Sequence, residues 1–386
     1  MVLTEKNISK YYFLHFFSYQ HFIGAILILY FLELGYSLVE LIVYGLTLQF
    51  VLTSLLEIPT GMFSDKHTRK LSLIFSGIGM LIGSFLLLFS ENKLLFIIAI
   101  VFVSFGHAFY SGALQAWFYD TLKELKKEEL YKEIEGKAQL ITQIGMAITT
   151  ILGAYLFQLE TKLPFFLLFI FQVVWFISIL TISEPKRKKS NQKYLVHFKK
   201  SIRYIMYNSK LKMLIYINTT VFLFYLSFMY VFNQIYLLEF KFSPFIIGLF
   251  LVILRIIMSL GSFFANKITL EFRKEYFILL ISQGLLLLCI GLLNNYFSLI
   301  LLIVLFLIFG IYSVTLSNQI HKLSTSKYRS TIFSIQSLLN NLIFGVGILV
   351  YGIIVNTYST SVFFLISGIL ILMLGFMYYI VQKNIT

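Results

Sequence analysis

Hydrophobic positions in this chain form long, nearly uninterrupted runs that are separated by short polar segments. Twelve of these runs are long enough to cross the hydrocarbon core of a bilayer, which is about 30 Å thick. They lie near 11–32, 38–59, 71–89, 94–118, 138–158, 164–182, 213–237, 244–265, 277–293, 297–319, 331–355 and 360–381. Only helices and closed barrels satisfy every backbone hydrogen bond within lipid, and runs of this length are typical of helices. The pattern therefore predicts an all-α membrane protein with twelve transmembrane helices.

The charged residues between the runs predict an orientation. With both termini placed inside, the segments assigned to the cytoplasm hold 27 of the 31 lysine and arginine residues. The segments assigned to the outside hold only Lys93, Lys162 and Lys241, and Arg255 lies within a run. Positive residues are enriched on the cytoplasmic side of membrane proteins. We therefore expect a multi-pass protein of the cell membrane with both termini in the cytoplasm.

Composition agrees with this class and excludes others. The chain of 386 residues is 59% hydrophobic and 12% charged, whereas soluble domains carry about 25% charged residues. The net charge of +14 does not indicate a nucleic-acid partner, because no stretch could fold as a basic solvated domain. No nucleotide-binding loop, zinc-ligand cluster or nucleophile elbow is found in the sequence, so we expect neither an enzyme nor a bound cofactor or metal.

A basic segment divides the chain into two halves of six runs each. It spans 183–212 and carries ten cations, between an N-terminal half at 1–182 and a C-terminal half at 213–386. Within it, apolar residues recur at helical spacing from Leu195 to Met206, while cations occupy the other face. This pattern fits either a helix at an anionic lipid surface or a solvated cytoplasmic loop.

The polar turn between the second and third runs is the most distinctive motif of the chain. It reads EIPTGMFSDKHTRK, from Glu57 to Lys70. Pro59 and Gly61 are expected to end the second helix, because proline cannot donate an internal hydrogen bond and glycine favours a helix C-terminus. Asp65 then places a negative charge among the cations of the turn.

This turn resembles the loop between the second and third helices of the major facilitator superfamily. Gly61, Asp65, Arg69 and Lys70 match the family pattern, whereas Thr68 stands where a second glycine is usual. The resemblance implies two six-helix halves related by an axis along the membrane normal, which carry a solute by alternating access. Together with AFYSGALQAWFYD in the fourth run, the turn is similar to bacterial members usually labelled as efflux proteins.

The same resemblance implies a conformational gate at the inner ends of the helices. It pairs Arg69 with Asp120 at the end of the fourth run, and it places Asp65 near Arg329–Thr331 at the start of the eleventh run. An anion at a helix N-terminus meets a partial positive charge, so such a contact can bias one of two conformations. The alternative is an ordinary surface salt bridge, worth under about 1 kcal/mol. The gate would comprise Gly61, Asp65, Arg69, Lys70 and Asp120.

Ionisable residues inside the runs are candidates for coupling or substrate contact, because a charge within a membrane is unfavourable unless it is paired or hydrated. Arg255 lies about halfway along the eighth run, His21 lies in the first run and His107 in the fourth. Arg255 fits substrate or ion coupling, or a structural role in holding polar groups of a neighbouring helix. The histidines either relay protons, because they change charge near neutral pH, or pack within the bundle through hydrogen bonds.

Polar and aromatic residues on the first, fourth, seventh and tenth runs complete the candidate set, because these helices line the central cavity in the family. The candidates for substrate contact are Tyr110, Gln115, Tyr225, Asn233 and Tyr312. A cavity of this composition suits an amphipathic organic molecule rather than a small, multiply charged one. The sequence departs from the drug–proton antiporters of the family, which commonly carry a Gly-Pro pattern on helix five and an arginine early in helix four.

Three functions are compatible with the sequence. The first is proton-coupled export of amphipathic small molecules or drugs, by a monomer in the lipid bilayer. The second is uptake of a nutrient or metabolite by a protein of the same fold. The third is a membrane protein that binds a ligand without transport. Protons are the expected driving ion, because nothing in the chain is expected to hydrolyse a nucleotide and the family usually uses protons.

Overall fold

The computed structural model of the chain describes residues 2–18, 20–185, 194–267, 272–325 and 329–383. The regular secondary structure within these ranges is helical, which confirms the predicted all-α class. The chain divides into two compact units, Met1–Gln192 and Lys193–Thr386. This division falls within the basic segment 183–212.

Nine α-helices build the first unit. They are α1 (Val2–Ser18), α2 (Leu27–Glu33), α3 (Leu38–Glu40), α4 (Leu48–Lys66), α5 (Arg69–Leu87), α6 (Lys93–Tyr110), α7 (Ala113–Glu124), α8 (Tyr131–Leu159) and α9 (Leu163–Leu180) among the described residues. A π-helical segment, Leu41–Thr47, joins α3 to α4, so that one continuous helix runs from Leu38 to Lys66. Tyr11, Trp117, Phe118 and Trp175 are large, fully buried side chains of this unit's core.

Eight α-helices build the described part of the second unit. They are α10 (Tyr194–Tyr207), α11 (Ser209–Ser227), α12 (Asn233–Glu239), α13 (Pro244–Phe264), α14 (Phe272–Leu293), α15 (Tyr296–Leu323), α16 (Arg329–Thr357) and α17 (Thr360–Lys383). A π-helical segment, Phe228–Phe232, joins α11 to α12. Of the two interpretations of the basic segment 183–212, a helix or a solvated loop, the structure has a helix, which is α10. Its Ile205 is buried, whereas Ile202 and Met206 are exposed beside the exposed cations.

Among the described residues, eleven helices are long and apolar enough to span a membrane, from Leu38–Ser64 to Thr360–Val381. The predicted first span differs, because it is divided between α1 and α2 by turns at 22–26. The backbone N–H of His21 donates to the Thr149 hydroxyl of α8 at 3.0 Å. A Cβ on Gly153 would lie 1.8 Å from the Phe22 carbonyl oxygen. The absence of a side chain at Gly153 therefore allows the non-helical backbone near Phe22 to pack against α8. Non-helical backbone at membrane depth is tolerated where protein groups satisfy it in this way.

The cations that were assigned to the outside are paired with acids in the first unit. Lys162 bonds to Glu91 at 2.5 Å, and Lys93 bonds to Glu40. The hydrogen bond that Lys162 donates to the Glu91 carboxylate raises the pKa of Lys162 above its ordinary value. These short polar connections between helices therefore carry little uncompensated positive charge, unlike the basic connections at the opposite ends.

Glycine allows the closest approach between α13 and α15. A Cβ on Gly310 would lie 2.0 Å from the Met258 carbonyl oxygen, and a Cβ on Gly261 would lie 2.1 Å from the Leu307 carbonyl oxygen. Small residues at helix crossings allow two backbones to approach in this way. Each glycine therefore faces backbone that a side chain would have to displace.

We expect Gly310→Ala to lower the stability of the protein by about 1–3 kcal/mol, because the added methyl group overpacks a backbone contact. Gly136→Ala in α8 is the matched control, since nothing lies within 4 Å of a Cβ at that helical position. There, alanine should be neutral or stabilising by up to about 1 kcal/mol. Thermal unfolding of the detergent-purified variants measures both effects. Equal melting temperatures for the two variants would contradict the close crossing.

Candidate functional site

The second transmembrane helix continues past the two residues that were expected to end it. α4 runs to Lys66 with Pro59 inside it, so the prediction that Pro59 and Gly61 terminate the helix is wrong. Proline removes one backbone donor, but membrane helices tolerate this where side chains satisfy nearby carbonyl groups. The Thr60 hydroxyl lies 2.8 Å from the Leu56 carbonyl oxygen and 2.9 Å from the Ala108 carbonyl oxygen of α6. Thr60 thus holds this part of α4 against its neighbour.

Thr68 begins the next helix in place of the usual glycine of the motif. Its backbone is extended, with φ −115° and ψ 151°, and its hydroxyl oxygen accepts a hydrogen bond from the Leu71 N–H at 3.1 Å. This is the geometry of an N-cap, where threonine is among the favoured residues. The departure from the family pattern therefore leaves a well-formed helix start at Arg69.

Glu184 caps the same helix from outside, and sequence reasoning missed it. Its carboxylate accepts hydrogen bonds from the backbone N–H groups of Arg69 at 2.9 Å and Lys70 at 2.7 Å. A carboxylate at a helix N-terminus satisfies open donors and meets the positive end of the helix dipole. The Lys70 ammonium group also donates to the Leu180 carbonyl oxygen at 2.9 Å. The start of α5 is thereby tied to the end of α9. A signal was present, because Glu184 is the lone acid in the basic segment 183–212.

Arg69 and Asp120 lie together, as the resemblance implied. The Arg69 Nε atom is 3.7 Å from the Asp120 Oδ2 atom, and the two side chains are 18% and 20% exposed. Arg69 also donates through Nη1 to the Ser64 hydroxyl at 2.8 Å. The 3.7 Å separation is that of an ion pair without a direct hydrogen bond. The contact is therefore partly shielded from water but not locked by short bonds.

The position of Asp120 depends on a break in the predicted fourth helix. α6 ends at Tyr110, and α7 begins at Ala113 after Gly112, whose φ of 70° is left-handed. The Trp117 indole N–H of α7 donates to the Ser183 carbonyl oxygen at 2.8 Å, one residue before Glu184. α7 is thus held beside the acid that caps α5.

Two predicted components of the gate are outside the described side chains. The side chain of Asp65 is one of them, although its backbone lies in the last turns of α4. The side chain of Arg329 is the other. Gly61 lies within α4, and nothing is within 4 Å of a Cβ at this position. The contact between the loop aspartate and the eleventh helix stays a prediction.

A polar cluster that the sequence interpretation did not single out joins α1 to α8. The Tyr11 hydroxyl donates to Glu135, and the His15 Nδ1 atom lies 3.1 Å from the Thr142 hydroxyl oxygen. The rings of Tyr11 and His15 meet edge to face at 4.5 Å. His15 is only 1% exposed, so it is a packed residue of this helix contact. Glu135 belongs to the charged connection between the fourth and fifth predicted runs.

The two candidate histidines, His21 and His107, are less buried than His15. His21 is half-buried in the interruption between α1 and α2, where a Cβ on Gly24 would lie 2.8 Å from its Nδ1 atom. His107 is half-buried in the last turn of α6. A role in proton transfer for these two residues stays a prediction.

Tyr225 and Tyr312 occupy the packed interior of the second unit. Tyr225 is 2% exposed, and its hydroxyl donates to the Gln283 side-chain oxygen and to the Leu305 carbonyl oxygen, each at 3.3 Å. Tyr312 is fully buried, and its hydroxyl lies 3.2 Å from that of Tyr276. The hydroxyl groups of both tyrosines thus contact polar atoms of α14 and α15. A role of these two residues in substrate contact stays a prediction.

Asn233 supports the π-helical segment that precedes it. Its side-chain amide donates to the carbonyl oxygens of Phe228 and Met229, both at 2.7 Å. A π-helical turn shifts the backbone hydrogen-bond pattern, and the amide satisfies carbonyl groups there. The Asn233 Oδ1 atom is buried and accepts no hydrogen bond within the described chain. Asn233 therefore shapes the helix and also presents an open acceptor.

The remaining candidates of the fourth helix are divided between core and surface. Tyr110 is 4% exposed and packs against Trp175 with a ring separation of 5.7 Å. Gln115 is half-buried in α7, with an Oε1 atom that accepts no hydrogen bond from the described residues. Arg255 is half-buried at the middle of α13. Tyr110 and Gln115 lie in the first unit and Arg255 lies in the second. A role of these residues in substrate contact or coupling stays a prediction.

A family model of the Major Facilitator Superfamily matches residues 11–321. The chain belongs to this superfamily. A curated relative, the uncharacterized MFS-type transporter YxaM of Bacillus subtilis (strain 168), is 24% identical over 200 residues. This match spans 50% of the chain and about half, 49%, of the relative.

Solved structures show the same fold at low sequence identity. The nucleoside transporter NupG has a TM-score of 0.77 and 13% identity over 99% of this chain and 98% of that one. A POT family transporter in complex with 5-aminolevulinic acid has a TM-score of 0.75 and 15% identity over 99% of this chain and 97% of that one. A D-xylose-proton symporter has a TM-score of 0.74 and 11% identity over 98% of this chain and 97% of that one. The chain therefore has the fold of a major facilitator transporter.

Proposed function

We propose that this protein is a proton-coupled secondary transporter that exports an amphipathic organic molecule from the cell. The supporting observation is the partly buried pair of Arg69 and Asp120, 3.7 Å apart at the polar connection between α4 and α5. A contact of this kind adds a modest free energy to one conformation, so it can form and break during a transport cycle. Glu184 keeps the backbone of Arg69 in place while the side chain changes partner.

Export rests on the resemblance of the motif and the fourth helix to efflux proteins, and proton coupling on the family at large. The D-xylose-proton symporter of the same fold supports protons as the driving ion. Uptake of a nutrient is the second candidate function, because the solved structures of similar fold include a nucleoside transporter, a POT family transporter and a D-xylose-proton symporter. A ligand-binding protein without flux is the third.

One screen separates these functions. A deletion strain and its complemented parent are compared for inhibition by a panel of amphipathic toxins, and for growth on single nucleosides, peptides and pentoses. Export predicts that deletion lowers the inhibitory concentration of at least one toxin and leaves growth on every nutrient unchanged. Loss of growth on one nutrient, with unchanged toxin resistance, would replace export by uptake. Ligand binding by the purified protein, without flux in proteoliposomes, would leave only the third function.

We expect both termini to be cytoplasmic, with the protein acting as a monomer in the cell membrane. A phosphatase reporter that is active only outside should be active when fused after residue 160 and silent after residue 190, because the segment 183–212 carries ten cations. Fusions of a reporter that is active only inside serve as the control and should give the opposite pattern. Phosphatase activity at residue 190 but not at residue 160 would reverse the orientation.

A further inference from the structure

Arg255 places a cation deep within a helix that otherwise carries no charge. It is the twelfth residue of α13, which runs from Pro244 to Phe264. At 1.5 Å per residue, it lies about 16 Å from the start of the helix and about 14 Å from its end. An arginine side chain near a helix end can reach the membrane surface, but one at mid-helix cannot do so easily. The guanidinium group therefore requires a partner within the protein or in its ligand.

The side of α13 that carries Arg255 is not the apolar exposed side. The large exposed hydrophobic residues of the helix are Ile246, Leu249, Ile253, Ile256, Leu260, Phe263 and Phe264. At about 100° per residue, they centre roughly 140° around the helix from Arg255. Ser259, one turn further on the Arg255 side, is exposed and donates to the Arg255 carbonyl oxygen at 2.9 Å. Arg255 thus lies on a different side of α13 from the surface suited to lipid.

The second unit offers this cation almost no negative charge. Its acids are Glu239, Glu271 and Glu275, and the unit contains no aspartate. Glu239 bonds to Thr360 at 2.5 Å and to Asn294 at 3.3 Å, and Glu275 accepts from Thr315 at 2.6 Å. Glu271 lies outside the described residues. Within the described chain, the guanidinium group of Arg255 takes part in no ion pair.

Tyr230 lies near enough to Arg255 for an electrostatic interaction between the two side chains. It lies in the π-helical segment Phe228–Phe232 and is 37% exposed. Its ring is 5.9 Å from that of Phe344 in α16. π-helical turns occur frequently at functional sites, where they redirect side chains. Tyr230 therefore adds an aromatic surface and a hydroxyl group beside the cation.

Unsatisfied acceptors lie on the helices around Tyr230. The Asn340 Oδ1 atom, one helical turn before Phe344, is buried and accepts no hydrogen bond from the described residues, and the same is true of Asn233 Oδ1. A buried acceptor without a donor costs about 1–3 kcal/mol. A ligand with an N–H or O–H group would supply the missing donor. The cation, the aromatic ring and the acceptors together specify complementary ligand chemistry.

We propose that the second unit binds an amphipathic organic anion, whose single negative group pairs with Arg255 and whose apolar body lies against Tyr230. This inference rests on the proposed transport function and names the substrate class. A ligand carboxylate would form an ion pair with the Arg255 cation at mid-helix, whereas none of the described acids does so. It also fits a site lined by aromatic rings, in which one fixed cation would exclude amines by repulsion.

The test uses three probes with one carbon skeleton: 4-phenylbutyrate, 4-phenylbutyramide and 4-phenylbutylamine. A second set on a naphthylacetyl skeleton guards against a poor fit of the first. Equilibrium dialysis with the full-length protein in zwitterionic nanodiscs measures their affinities. The carboxylate of at least one set should bind roughly tenfold or more tightly than its amide, since hydrogen bonds to charged groups are the stronger ones. The amine should bind least.

Substitution identifies the cation responsible. Arg255→Gln should reduce the affinity for the carboxylate to that for the amide and leave the amide unchanged, whereas Arg255→Lys should keep part of the preference. Arg203→Gln is the matched control, because Arg203 is an exposed cation of α10. If no carboxylate binds, if all three probes bind alike, or if Arg255→Gln weakens all of them equally, the inference is wrong.

Two further measurements separate the sources of failure. Adding anionic phosphatidylglycerol to the nanodiscs should leave the affinity for the carboxylate unchanged, and strong competition would assign the anion site to a lipid headgroup instead. Flux of the same probes is then measured in proteoliposomes. A carboxylate preference without flux would overturn the transport proposal but support the anion site. Flux of other compounds, without preference for an anion, would support the transport proposal but overturn the anion site.

Discussion

Exchanging the charges of Arg69 and Asp120 should restore part of the transport that either single substitution removes. Arg69→Ala and Asp120→Asn are each expected to reduce the transport rate, with membrane abundance near normal. The physical reason is that the 3.7 Å pair favours one of two conformations. Coupling of about 1–3 kcal/mol between conformations corresponds to a change of roughly 5- to 150-fold. The double variant Arg69→Asp with Asp120→Arg rebuilds the attraction in the opposite sense, so it should recover activity.

The first unit provides a matched control for this experiment. Lys137 and Glu133 form an exposed pair 2.6 Å apart on α8, with side chains 60% and 63% exposed. Lys137→Ala and the exchange of these two charges should leave transport unchanged, because exposed pairs contribute little. Transport is measured in vesicles from cells that express each variant at equal abundance. Full activity of both single variants at Arg69 and Asp120, with no recovery in the exchange, would leave Arg69–Asp120 as an ordinary surface pair.

Local sequence patterns predicted most of the spans, because a bilayer requires about 20 consecutive apolar residues per helix. They could not predict the interruption of the first helix at 22–26. That interruption depends on Thr149 and Gly153 of α8, which lie more than a hundred residues away. The prediction that Pro59 ends the second helix failed for a related reason. Thr60 forms a hydrogen bond to α6, and this contact supports a helix that proline alone would weaken. Long-range partners, rather than local preferences, decided both regions.

The sequence predicted some contacts of the candidate site and missed others, again because several depend on residues that are distant in the sequence. Arg69 and Asp120 could be paired because a motif fixes their places in the family. The faces of Tyr225 and Tyr312 could not be assigned, since a chain with 25 Tyr and 42 Phe places aromatic rings on every side of its helices. In contrast, Glu184 was accessible to sequence reasoning. A single acid in a segment with ten cations suggests a specific partner, and that partner is the start of α5.

Proton coupling gives the second large expected effect, and three histidines of the first unit allow it to be tested. His21→Gln or His107→Gln should abolish transport driven by a pH gradient and leave downhill substrate exchange measurable. Both side chains are half-buried, and histidine changes charge near neutral pH, so each could carry a proton if the transport cycle opens it to water. Glutamine retains hydrogen bonding but cannot carry the proton.

His15→Gln is the comparison that separates coupling from packing. The His15 side chain is 1% exposed, lies 3.1 Å from the Thr142 hydroxyl and packs against Tyr11. We expect this substitution to lower stability by about 0.5–3 kcal/mol, as for a disturbed core contact, while pH-driven uptake into everted vesicles persists. If the His21 and His107 variants still concentrate substrate normally, the histidine relay is wrong. The acids Glu40 and Glu57 would then be the better candidates, because proton-driven accumulation requires a group that changes charge between the two aqueous sides. Failure of the unsubstituted protein to concentrate substrate would instead indicate a carrier without coupling.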